Sequence, residues 1–191
     1  MPSIEYDLNY IQAGLVDLEG YLLSKELYWP IGATAPAGET AYPRMTLGNL
    51  LLARARLSGR QLGKEQRTEF DRLDGRLQEI RQQWQVAWGQ KAAREFTARL
   101  RLWRDFLEEY RKQPKANLDR YAYEVNRRVT LQLLSSDTEG TSDEELELLK
   151  GLDELLRAVF IPGQFVWEDE LKASFPENPY WYLYGMPKEE L

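Results

Sequence analysis

The chain is predicted to fold as an all-α helical bundle, and three observations predict it. Bulky apolar residues recur three and four positions apart over most of the sequence, which is the spacing of one helix face. Residues 64 to 112 hold no proline and only two glycines, so nothing in them forces a break. Ser142 and Glu145 form a capping box, the signature of a helix start. The expected architecture is a single domain of four to six helices around a long central helix or helical hairpin. Its core spans about residues 4 to 161, with a long loop at 27 to 45 and an irregular aromatic tail at 162 to 191. With 191 residues, a hydrophobic core is sufficient and no disulfide or structural metal is needed.

Helix one is predicted from residue 4 to 24, because Ile4, Leu8, Ile11, Leu15, Leu18 and Leu22 form a coiled-coil-like seam behind Ser3 as N-cap. Gly14 and Gly20 inside it weaken the helix, which points to close approach of a neighbour. The loop that follows carries three prolines between Pro30 and Pro43. Tyr28, Trp29 and Tyr42 are its candidate anchors, either onto the core or onto a partner. Helix two should start after Thr46 and run to about Leu57, with Leu47, Leu50, Leu51 and Leu57 inward and Arg54 and Arg56 outward.

The central stretch carries two stripes. Phe70, Leu73, Leu77, Ile80 and Trp84 form the first; Phe96, Leu100, Trp103, Leu107 and Tyr110 form the second. Between Trp84 and Leu100 the apolar face turns by roughly 160° at about 100° per residue. Either a hairpin at Gly89 or one long helix that changes neighbours near Gly89 satisfies this, and the absence of a capping residue between Trp88 and Phe96 favours the long, bent helix. Pro114 stops it. Helix four is predicted from Asn117 to Leu134 on the stripe Leu118, Ala122, Val125, Val129 and Leu133. A polar break at 135 to 141 separates it from helix five, which continues through Leu146, Leu149, Leu152, Leu156 and Val159 to Phe160 and ends at Ile161-Pro162-Gly163. In the tail a short helix is expected over 168 to 174, and the rings of Trp181, Tyr182 and Tyr184 are expected either to close over the bundle or to form an aromatic patch for a partner.

Composition narrows the chemistry. With no cysteine and no histidine, the chain has no thiolate nucleophile, no Cys-ligated metal site, no Ser-His-Asp arrangement and no His general base. No phosphate-cradling glycine loop, nucleophile elbow or dinucleotide fingerprint occurs. No catalytic residue, metal ligand or cofactor is therefore assigned, and a non-enzymatic protein is expected. The acidic amino terminus and the lack of a long apolar run suggest neither a leader nor a membrane span, hence a soluble cytoplasmic protein.

Charge is segregated within a net charge of −6: residues 1 to 50 carry 2 basic and 6 acidic groups, residues 51 to 135 carry 19 and 11, and residues 136 to 191 carry 4 and 14. Either the acidic ends neutralise the basic middle, or the middle is a groove for an anionic partner. Arg99, Arg101 and Arg104 are the candidates on the central helix, and Arg120, Glu124, Arg127 and Arg128 form a polar cluster able to clamp a carboxylate or phosphate. The primary expectation is a protein-protein interaction or scaffold module, self-associating through the seam of helix one and the aromatic termini. One alternative is nucleic-acid binding by the basic segment 51 to 135, with Trp84, Trp88 and Trp103 as stacking rings. Another is a magnesium-dependent phosphohydrolase using Asp71 with Asp74 and Glu144 with Glu147.

Overall fold

The computed structural model describes residues 2–136 and 142–190 and is an all-α bundle with an aromatic carboxy-terminal cluster. Its described residues hold eight α-helices: α1 (Ile4–Leu23), α2 (Leu47–Ser58), α3 (Lys64–Gln83), α4 (Gln85–Lys112), α5 (Pro114–Asn117), α6 (Tyr121–Ser135), α7 (Asp143–Val159) and, as a single turn in the tail, α8 (Glu177–Tyr180). α4 is the long central element, packed against α6, α7 and α2, while α1 lies across α2 and α3. Residues 137 to 141 of the predicted polar break lie outside the described residues.

Helix starts follow local chemistry. The Ser3 side chain accepts from the Tyr6 amide, Thr46 accepts from the Asn49 amide, and Ser142 and Glu145 cap each other reciprocally. Each satisfies an amide that the first turn leaves without an intrahelical partner. Gly14 is where α2 comes close: a Cβ there would stand 2.7 Å from Leu50 Cδ2. Gly20 has no such neighbour, since nothing lies within 4 Å of its absent Cβ.

The central stretch breaks at Trp84, five residues before Gly89, which sits inside α4. Trp84 has φ −112° and ψ 33°, yet its amide still donates to Ile80 and its carbonyl still accepts from Trp88. The chain is thus kinked, not folded back. α3 packs on α1 and α4 on α6, and the kink falls where the apolar stripe must rotate. The Trp84 indole Nε1 donates to Glu19 on α1 at 3.3 Å, which ties the kink to its neighbour.

Three local expectations need correction. Pro114 opens a new turn, α5, and a 3-10 turn over Leu118–Arg120 precedes α6. Because a 3-10 turn holds three residues, not 3.6, it resets the helix phase. Tyr121, Val125, Val129, Leu131 and Leu134 are buried, whereas Leu118, Ala122 and Leu133 are only half-buried. Arg56 points inward, and Leu146 is exposed because α7 is covered on one flank only.

The tail is more regular than expected. Phe160–Phe165 (β1), including the predicted helix stop Ile161-Pro162-Gly163, pairs antiparallel with Tyr184–Pro187 (β2). Ile161 faces Met186 and Pro162 faces Gly185, with an irregularity before the Phe165 to Tyr184 pair. Gly185, at φ 149°, passes so close that a Cβ would lie 2.2 Å from the Ile161 carbonyl oxygen, so only glycine fits. The predicted 168 to 174 helix is a 3-10 turn, Asp169–Leu171. Phe165, Trp167, Phe175 and Tyr182 are buried against the bundle. The Tyr121 hydroxyl donates to the Tyr182 carbonyl at 2.6 Å, the Tyr110 hydroxyl to the Lys188 carbonyl at 2.6 Å, and the Trp167 indole to the Ala122 carbonyl at 3.0 Å.

Candidate functional site

The chemically loaded positions of this molecule are charged side chains buried between helices. Asp7 on α1 is fully buried and is gripped bidentately by Arg56 on α2, with Nε to Oδ2 at 2.9 Å. Arg60 adds its charge at 3.6 Å and carries the tail through Glu170 at 2.8 Å. Burial raises the Asp7 pKa, opposed by the hydrogen bond and charge of Arg56 and by the charge of Arg60.

A second cluster joins α4 to the start of α2. Buried Glu95 accepts the Gly48 amide at 2.9 Å, placing a carboxylate at a helix N-terminus. Arg99 donates to Glu95 at 2.7 Å, to Asn49 Oδ1 at 2.8 Å and to Thr46 Oγ1 at 3.2 Å. One turn earlier, Lys91 donates to the carbonyls of Ser24 at 2.9 Å and Glu26 at 2.6 Å, and stands over the Tyr21 ring at 4.3 Å. A cation thereby closes the negative end of α1; burial lowers its pKa, aided by the Arg94 charge.

The predicted arginines divide by location. Arg99 is occupied as described, with buried Glu95 as its partner. Arg104 pairs with Asp105 at 3.4 Å and Glu108 at 3.6 Å, while Arg101 is exposed with no side-chain partner among the described residues. Arg111 and Lys112 are in the same condition. Arg120, at the end of the 3-10 turn before α6, reaches Glu109 at 2.8 Å and Glu124 of α6 at 3.0 Å, and Arg127 also pairs with Glu124. Arg128 points the other way: it forms a bidentate pair with Asp153 on α7, both bonds at 2.8 Å, and stacks 4.6 Å from the Tyr182 ring. The structure therefore brings Arg120, Glu124 and Arg127 together and sends Arg128 into a different cluster.

The candidate aromatic residues also separate. Trp29 is half-buried, bridged to Met45 and edge-on to Tyr21 at 6.3 Å, whereas Tyr28 is exposed. Tyr42 packs on Tyr6 at 4.6 Å. Tyr182 is fully buried, and burial pushes its pKa well up. Trp181 is half-buried under the Arg157 guanidinium at 3.8 Å, and Tyr184, also half-buried, donates to the Phe175 carbonyl at 2.9 Å.

The acidic ends meet the basic middle at several points: Asp7 with Arg56, Glu19 with Arg76, Asp153 with Arg128, Glu170 with Arg60 and Glu190 with Lys115. Of the acidic pairs, Asp74 is held by Arg54, and Asp71, Glu144 and Glu147 are exposed. No three Asp, Glu, His or Cys side chains among the described residues converge on a common point. A cavity of about 330 Å³ near the kink is lined by Gln78, Arg81, Gln82, Gln85, Trp88, Gly89 and Ser136; its lining holds one hydroxyl, Ser136, with no carboxylate beside it to act as a base. Trp88 and Trp103 lie in the core.

Sequence reading missed Asp7, Arg56, Arg60, Lys91 and Glu95 as buried charges. A signal was present: Trp88, Lys91, Glu95 and Arg99 step by three and four, as do Ile4, Asp7 and Ile11, and Ala53, Arg56 and Arg60. A charge in core register is a candidate buried pair. No helix among the described residues is long and apolar enough to cross a membrane. No family model matches the chain, and comparisons with curated proteins and with solved structures return no match.

Proposed function

We propose that this chain is a non-enzymatic interaction or scaffold module that acts through its surface. The observation that carries this reading is α7. Its Leu149, Leu152 and Leu156 are buried, yet Leu146, Leu148 and Leu155 are exposed on the same helix, so α7 is apolar over more of its circumference than the bundle covers. The absence of convergent acid, base or nucleophile groups in the described residues supports the same reading, since buried charges here are already held by opposite charges or by carbonyls. Nucleic-acid binding is supported less, because Trp88 and Trp103 are packed inside and cannot stack on bases.

A photocrosslinking amino acid placed at Leu155, and separately at Glu65 on α3 as an exposed control, tests the proposal in cells. Crosslinks to protein from the α7 position and not from the control are expected. No protein adduct from either position would sink the interaction reading.

A further inference from the structure

We propose that the groove between α4 and α7 is the surface on which two copies of this chain pair, with α7 lying parallel to α7 of the second copy about a two-fold axis. This rests on the interaction-module reading and gives it a partner. The groove measures about 200 Å³ and is lined by Leu107, Tyr110, Arg111, Leu155, Leu156 and Val159. Leu148 and Leu155, seven residues apart and so on one stripe, are 40% and 45% exposed beside it. Between them Gly151 has nothing within 4 Å of where a Cβ would stand, which leaves room for a second helix backbone.

Charge selects both the occupant and its direction. α7 and α4 run side by side in the same direction, because Thr97 contacts Glu145 and Leu107 lines the same groove as Leu155. On the α4 margin stand Arg111, which lines the groove and has no side-chain partner among the described residues, and, seven residues before it, Arg104, whose guanidinium is shared with Asp105 and Glu108 of its own helix. On the far margin, roughly 90° round α7 from Leu155 at about 100° per residue, stand Glu147 and Glu154, both exposed. One surface thus carries an apolar stripe between a basic and an acidic edge. When two such surfaces face each other about a two-fold axis parallel to the helices, each basic edge meets the partner's acidic edge. With the axis across the helices, like edges meet. The parallel arrangement is therefore the complementary one, and a second copy is the occupant whose charges match by construction.

Three measurements on the full chain test this. Sedimentation equilibrium from micromolar to millimolar concentration is expected to show a monomer-dimer equilibrium, abolished in the Leu148→Glu, Leu155→Glu variant while its far-ultraviolet circular dichroism is kept. Reversing one edge, Arg104→Glu with Arg111→Glu, is expected to weaken the dimer by roughly tenfold or more, and adding Glu147→Arg with Glu154→Arg in the same chain is expected to restore it. Because the chain has no cysteine, Leu148→Cys and Leu155→Cys report direction: in a parallel pair each residue faces its own counterpart, so both variants form intermolecular disulfides. A monomer at all concentrations overturns the proposal, and so does a dimer indifferent to the two glutamates. Crosslinking by only one cysteine variant overturns the parallel geometry. If Leu155 photocrosslinks to a different protein while sedimentation finds only monomer, the dimer fails and the interaction reading stands.

Discussion

Replacing Arg56 with methionine isolates what the buried Asp7 carboxylate needs. Asp7 is fully enclosed, and its two oxygens are held by the Arg56 guanidinium. After the substitution the closest remaining cation is Arg60 Nη1 at 3.6 Å, beyond hydrogen-bond reach. Removing one partner of a buried ion pair costs about 3 to 5 kcal/mol, a large share of the roughly 5 to 15 kcal/mol that holds a typical domain. For a chain of this size, each kcal/mol lowers the melting temperature by about 2 to 4 °C, so a fall of about 6 to 20 °C is expected. Replacing both partners, Asp7→Leu with Arg56→Met, is expected to recover most of the loss, because no charge is then left buried alone and Arg60 keeps Glu170.

The pH dependence follows from the same geometry. Burial raises the Asp7 pKa and Arg56 opposes it, so without Arg56 the folded-state value rises further above the unfolded value of about 3.9. The folded variant then binds the proton more tightly than the unfolded chain, and stability is lost as pH rises through the window between the two values. The deficit of Arg56→Met relative to the native chain is therefore largest at neutral pH and shrinks towards pH 4. Urea unfolding followed by circular dichroism at several pH values measures both effects. An Arg56→Met variant as stable as the native chain at neutral pH, or a deficit that does not change with pH, would refute the reasoning.

Other perturbations address single contacts. Gly48→Ala puts a Cβ 2.2 Å from Thr130 Cγ2 and 2.6 Å from Glu95 Oε1, so a loss of about 1 to 3 kcal/mol is expected in the same assay. Gly59→Ala places a Cβ 2.5 Å from the Ser174 backbone nitrogen; the tail must shift, and limited proteolysis is expected to cut near 168 to 176 faster than in the native chain. Lys91→Met strips the Ser24 and Glu26 carbonyls of their donor. A loss of about 1 to 3 kcal/mol is expected, with faster amide exchange confined to the end of α1. Fluorescence anisotropy with a labelled single-stranded oligonucleotide at low salt is expected to show no binding by the native chain; tight, salt-sensitive binding lost on Arg101→Ala would favour the nucleic-acid reading.

Sequence alone determined the helices, because a helix is stabilised by contacts three and four residues away and its signals are local. The stripes Phe70 to Ile80 and Phe96 to Tyr110, the caps Ser3, Thr46 and Ser142, and the central position of α4 were all legible. Tertiary structure decided that the bend falls at Trp84, whose indole meets Glu19 of another helix, and not near Gly89, and it decided the β1 to β2 pairing, whose partners lie 19 to 27 residues apart. It also decided which of the charges in core register pair with one another. Asp7 and Arg56 are 49 residues apart in sequence, and neither carries a mark of the other. The arginine-rich middle reads as a uniform basic field in one dimension. Folding divides it into cations held by carboxylates, such as Arg56, Arg99 and Arg128, and a few on α4 left in solvent, because pairing depends on which helix faces pack together and not on charge density along the chain.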